Sequence, residues 1–205
     1  MNTESLLQAR QSGRLAPSDL YSLEEYARRR KELRAGIMTH KKNRRVALGP
    51  NATLYFENRL TMQYQVQEVL RIEKIFEARE IADELEAYNP LIPDGNNWKA
   101  TFMIEYPEEA ERRVALARLI GIEDKIWVKV AGHEPVFAVA DEDLERETAE
   151  KTSSVHFLRF ELGQAMIRSL KKGAAVAVGS DHENYRQVVD PISEPVRLSL
   201  LSDLN

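Results

Sequence analysis

The stretch from Leu54 to Tyr88, LYFENRLTMQYQVQEVLRIEKIFEAREIADELEAY, contains neither glycine nor proline, and Asn89-Pro90 closes it. So long a run without a breaker predicts one long helix ending before the proline, whose ring disfavours the helical conformation in the preceding residue. Asn58 marks its start, because its side chain can accept from the orphan N–H groups of the first turn. At 100° per residue the apolar positions keep to no single stripe. Met62, Val66, Val69 and Leu70 share one side, Ile72, Ile75 and Phe76 the next, and Ala78, Ile81, Ala82 and Leu85 a third. A helix whose apolar face drifts is covered by different partners along its length. This predicts a central helix packed in turn by sheet, helix or a second subunit.

The polar residues of this stretch form two groups. Glu73, Glu77, Glu80 and Glu84 share one face and read as a solvated acidic stripe. They lack the Glu-x-x-His pair with which helical bundles hold two irons. Gln63, Gln67, Glu68 and Arg71 lie where the apolar residues are densest, so any that are buried need hydrogen-bond partners. They read either as a structural network or as a ligand site with Glu68 and Arg71 as acid/base or ligand groups.

The chain of 205 residues is 43% hydrophobic and 30% charged, proportions that suit a globular protein. No apolar run approaches the ~20 residues of a membrane span, and the first residues lack a charged-then-apolar leader pattern. The expectation is a cytoplasmic protein. Cysteine is absent, which excludes disulfides, thiolate nucleophiles and an iron–sulfur cluster held by the chain's own thiolates. Within the net charge of -4, Arg28 to Arg45 carries nine basic residues and one acid, so this block is +8 and the remainder -12.

The order of elements predicts an α+β fold: a mostly antiparallel sheet packed on the long central helix, with an N-terminal basic helix and a C-terminal helix. Residues 1–16 read as a flexible N-terminal arm and 17–205 as a single α+β domain. Ser22-Leu-Glu-Glu25 is a capping box that opens a helix running to about Ala35, where Gly36 interrupts it. Strands are expected at 45–49, 52–56 and 100–106. A helix with Ala110, Val114, Ala117 and Ile120 buried precedes a hairpin around Gly132-His-Glu-Pro135. SVHFLRFEL (154–162) alternates cleanly, with His156, Leu158 and Phe160 on one side. Ser193 caps a last helix that turns Val196, Leu200, Leu201 and Leu204 inward.

The motifs SLEEY (22–26), KKNRRVALGP (41–50), YFEN (55–58), TMQYQVQEVLRIEK (61–74), AYNPLIP (87–93), KTSSVHFLRF (151–160) and GSDHENY (179–185) together resemble the bacterial family catalogued as domain of unknown function 3501. The likeness runs from about residue 17 to the C-terminus. It implies the family's fold and no established activity. Relatives are often encoded beside rubrerythrin-like proteins and iron–sulfur or flavin redox subunits, so the resemblance implies a redox or peroxide-stress setting and an acidic protein partner of that kind. Val69 stands where relatives usually carry Met.

Three functions follow as expectations. The first is an accessory or binding protein that docks a partner through its basic residues Arg28, Arg29, Arg30, Lys41, Lys42, Arg44 and Arg45. A homodimer is also expected, because a second subunit would cover apolar surface that one sheet cannot. Nucleic acid is disfavoured, since aromatic interleaving and nucleic-acid module signatures are absent. The second is a metal-dependent or acid/base enzyme using Glu57, Glu68 and His156, with His156 oriented by a carboxylate. Glu68, His156 and His182 are the candidate metal ligands, while His182 in its Ser-Asp-His-Glu turn, His133 and His40 are expected to be solvated. The third is an anion sensor using Lys41, Lys42, Arg44 and Arg45. No nucleophile motif is present, which favours the first.

Overall fold

The computed structural model describes residues 13–144, 146 and 148–205. The fold is α+β. Helix α1 (Leu23–Lys42) leads into strands β1 (Arg45–Ala47) and β2 (Ala52–Glu57), then helices α2 (Arg59–Glu73) and α3 (Ala78–Tyr88). Strand β3 (Asn97–Ile104), helix α4 (Glu109–Arg118) and strands β4 (Ile126–Val130), β5 (Val136–Phe137) and β6 (Val139–Ala140) follow. The chain ends with β7 (Val155–Glu161), α5 (Gln164–Lys171), β8 (Val176–His182), β9 (Tyr185–Val189) and α6 (Glu194–Leu201). No helix among the described residues is long and apolar enough to cross a membrane.

Two sheets form, both antiparallel. One has the order β1-β2-β3-β7-β6 and the other β5-β4-β8-β9. The expected second strand of the hairpin, 136–140, is shared between them. Val136 pairs with Val128 in the smaller sheet and Ala140 with Leu158 in the larger, so the chain changes sheets at Ala138. Period-two alternation directs Leu54, Phe56, Trp98, Phe102, Leu158 and Phe160 of the larger sheet into one core with Ile126, Val128 and Val178 of the smaller. Helix α6 closes this core with Val196, Leu200 and, beyond its end, Leu204, as its spacing predicts. A second core, Met62, Val66, Leu70, Leu85, Ile92 and Leu15, lies among α2, α3 and the segment before α1.

The strand expected at 52–56 is present as β2, but the single helix expected from Asn58 to Tyr88 is instead two helices. Leu54 and Tyr55 pair with both β1 and β3, which holds this part of the breaker-free stretch extended. Asn58 caps α2 as expected, its Oδ1 accepting from Thr61 N at 3.1 Å. Helix α2 stops at Lys74, which adopts a left-handed conformation (φ 57°), and the N–H of Ile75 turns back to the carbonyl of Leu70 at 2.9 Å. The drifting apolar face thus belongs to two helices that each point a short stripe into the second core, while Ile72 and Phe76 at the junction stay exposed.

Two further expectations need correction. Helix α1 passes through Gly36 to Lys42, because a single interior glycine costs only about 1 kcal/mol and Ile37 beyond it is buried. Helix α4 buries Leu116, with Leu119 just past its end, while Val114 is 59% exposed. Its sequence carries two adjacent apolar stripes, and packing selects the one not expected. Of the residues read as an arm, 1–12 lie outside the described residues. Leu15 is buried, its N–H donating to Asn89 Oδ1 and its carbonyl accepting from Asn89 Nδ2.

Candidate functional site

The polar group on α2 makes a hydrogen-bond network. Gln67 Oε1 accepts from Tyr21 N at 2.8 Å and Gln67 Nε2 donates to Tyr21 O at 3.2 Å, so one side chain satisfies both backbone groups of the segment entering α1. Glu68 accepts from Tyr26 Oη at 2.7 Å and from Arg30 Nε and Nη2 at 2.8 Å each, and Arg71 approaches the same carboxylate at 3.4 Å. The bidentate Arg30 guanidinium, with help from Tyr26 and Arg71, holds the Glu68 carboxyl at about 2 despite its burial. A carboxylate so engaged stays ionised near neutrality and is a poor proton shuttle. It locks α1 against α2.

Glu57 and Arg44 are buried on structural tasks. Glu57 Oε1 accepts from Thr101 Oγ1 at 2.8 Å across the β2–β3 pair. Arg44, only 1% exposed, donates to the carbonyls of Phe56 (2.9 Å), Glu57 (3.0 Å) and Ser199 (3.1 Å), and pairs with Asp203.

His156 is fully buried on β7. Its register partner Phe102 points to the same core, whereas Glu57 lies on the opposite face with Tyr55 and Thr101. The register therefore keeps Glu57 and His156 on opposite sides of one sheet, and Glu68 sits on a helix with partners of its own. The three residues are not brought together.

His156 has gathered other groups instead. Its Nδ1 lies 2.6 Å from Asp141 Oδ2. Its Nε2 lies 2.9 Å from Thr152 Oγ1, 3.1 Å from the carbonyl oxygen of Ser153 and 3.7 Å from Glu123 Oε2. Glu123, Asp141 and His156 each offer a ligand atom, all within 4.8 Å of one another. Local structure sets each partner. Asp141 takes a left-handed conformation (φ 49°), tolerable for aspartate, just after β6. There its N–H donates to Phe157 O and its Oδ1 accepts from Phe157 N, both at 2.9 Å. Glu123 opens the 3-10 turn before β4, and Thr152 is anchored by its N–H to Leu116 O.

The other histidines differ from expectation. His182 is the last residue of β8 and is 6% exposed, its Nε2 3.1 Å from the carbonyl of Ile120 and its Nδ1 accepting from Asn184 N at 3.2 Å. The hairpin turn is the two residues after it, and its ring reaches the chain just past the end of α4. His40 is half-buried beside Asn58, and His133 Nε2 lies 2.9 Å from Ser169 Oγ.

The basic residues separate into engaged and displayed groups. Arg29 and Arg28 approach Glu25, Arg30 is taken by Glu68 and Arg44 by Asp203. Lys41 lies over the Tyr64 ring and Arg45 over the Tyr55 ring, each 5.7 Å from the centroid. Of the four residues expected for an anion sensor, Arg44 is thus buried against Asp203, while Lys41 and Arg45 each lie over an aromatic ring. Arg28, Lys31, Arg34 and Lys42 are exposed along α1.

Sequence reasoning singled out His156 and missed its partners. Neither Asp141 nor Glu123 belongs to a pattern that pointed to it. One signal could have found Thr152: KTSSVHFLRF carries it together with His156 in a single motif.

The sequence model of a family described as "Protein of unknown function (DUF3501)" matches residues 14–204. A crystal structure of a protein of unknown function from Burkholderia pseudomallei K96243 is similar to this chain at 51% identity, covering 94% of this chain and 100% of that one, with a TM-score of 0.89. No curated protein matches the chain.

Proposed function

The chain belongs to the DUF3501 family of proteins of unknown function, and on that footing we propose that it is a binding protein that docks an acidic partner protein through the outer face of α1. The observation that carries this reading is the exposed row of Arg28, Lys31, Arg34 and Lys42. Among the described residues, Lys31, Arg34 and Lys42 pair with no carboxylate. Helix α1 spans 20 residues yet buries only Tyr26 and Ile37, so packing leaves most of its outer surface free for another use. A single-sign row of this kind raises association rate and selects partners of opposite charge.

The partner in this reading is a rubrerythrin-like protein or a redox subunit, as the genes that accompany relatives suggest, in a redox or peroxide-stress setting. With no cysteine, this chain would dock such a partner rather than carry a thiolate-held cluster itself. Titration calorimetry against a purified rubrerythrin-like protein tests the reading. The expected result is binding at about micromolar Kd that weakens with salt and falls at least ~10-fold in the Lys31→Glu/Arg34→Glu/Lys42→Glu variant at unchanged Tm. No binding by the parent, or equal binding by the variant, would overturn it. Reversing Arg29 or Arg30 is a poorer test, because those changes break the contacts to Glu25 and Glu68.

A further inference from the structure

Four nitrogen and oxygen atoms lie close together on the Nε2 side of His156. Beyond the three separations from Nε2, Thr152 Oγ1 and Glu123 Oε2 lie 3.3 Å apart. A first-row divalent cation with ligands at ~2.0–2.2 Å sets neighbouring donor atoms about 3–3.7 Å apart in a four-coordinate site. All the separations here, 2.9, 3.1, 3.3 and 3.7 Å, fall in or just beside that span. We propose that His156 Nε2, Glu123 Oε2, Thr152 Oγ1 and the Ser153 carbonyl oxygen bind one divalent first-row cation.

The donor chemistry agrees with this assignment. One imidazole, one carboxylate, one hydroxyl and one carbonyl form a mixed nitrogen and oxygen set of the kind that suits zinc or manganese rather than a soft thiophilic ion. Asp141 is the positioning residue. By accepting from Nδ1–H at 2.6 Å it fixes the tautomer that turns the Nε2 lone pair toward the ion. Arg146 in turn approaches Asp141 Oδ1 at 3.3 Å, while its guanidinium stacks 4.6 Å from the Phe157 ring centroid. The location also fits the charge. His156 is 0%, Thr152 1% and Glu123 6% exposed, and two carboxylates brought this close inside a protein call for positive charge between them. A proton on Nε2, donated to the Ser153 carbonyl, is the competing occupant.

The test is titration calorimetry of Zn2+ and, separately, Mn2+ into full-length, tag-free protein stripped with a chelator. The expected result is one site per chain at about micromolar Kd or tighter, with a rise in Tm on loading. Glu123→Gln should weaken binding at least ~100-fold, and Asp141→Asn by ~10–100-fold, with far-UV dichroism unchanged. Failure of both metals to bind at about 100 µM would overturn the proposal and leave the proton in place. Binding that survives Glu123→Gln would place the ion elsewhere. Should that variant not fold, X-ray absorption on zinc-loaded parent decides the matter. One imidazole nitrogen with oxygen donors supports the site, and a shell of several imidazoles or of oxygen alone overturns it.

Discussion

The Arg44 guanidinium and the Asp203 carboxylate meet across 159 positions of sequence, with side chains 2% and 4% exposed. Arg44 lies two residues past the end of α1 and Asp203 two past the end of α6, so the pair joins these two helices through the edge of the larger sheet. Every remaining donor of Arg44 is directed at a backbone carbonyl or at Ser199 Oγ, which is how a buried guanidinium is made tolerable.

Removing one partner of this pair leaves a buried, uncompensated charge. Arg44→Met is expected to destabilise the protein by ~3–5 kcal/mol. The double variant Arg44→Met/Asp203→Leu should recover a large part of that loss, because it removes both desolvated charges. Urea denaturation of the parent, both single variants and the double variant measures the coupling. Additive losses would show that the two residues act independently.

Glu68 ties stability to pH. Its folded-state carboxyl is held at about 2 by Arg30, against an ordinary value of 4.5. A depressed acid contributes stability that is present above its unfolded pKa and is lost as pH falls through its folded pKa. Stability should therefore decline between about pH 5 and pH 2. Glu68→Gln should cost ~1–3 kcal/mol near neutrality and flatten that acid limb. Thermal melts across the range, parent against variant, would refute this if the two curves stay parallel.

Lys74 holds a left-handed conformation that glycine adopts without a Cβ penalty. The side chain is exposed, and no ion pair of Lys74 is found among the described residues. Lys74→Gly is therefore expected to raise stability by ~0.5–1 kcal/mol. A fall in the urea midpoint would mean that the lysine stem contributes contacts that outweigh its backbone strain.

Much of the architecture was legible in the chain because local rules and tertiary packing agree there. The alternation of SVHFLRFEL, the Asn58 cap, the hairpin around Gly132 and the apolar spacing of the last helix each encode one face and one period. Where two local solutions were open, packing chose between them. Leu54–Tyr88 has no breaker, yet the helix that starts after Asn58 stops at Lys74, because a second core rewards two short stripes over one long rod.

The candidate centre shows the same division. Sequence by itself determined that the chain is α+β, that it has no thiol chemistry of its own, that positive charge is concentrated between Arg28 and Arg45, and that His156 faces an apolar core. These follow from composition and from periods of two and 3.6 residues, which act within a few residues of one another. Only the tertiary structure decided that Glu57 and Glu68 are kept away from His156, and that Glu123, Asp141 and Thr152 surround it. Those residues lie 33, 15 and 4 positions before it, on a turn, a left-handed corner and a strand lead-in that belong to different elements. No local period relates them. Their meeting depends on two sheets closing over one core and on strand register assigning each side chain its face.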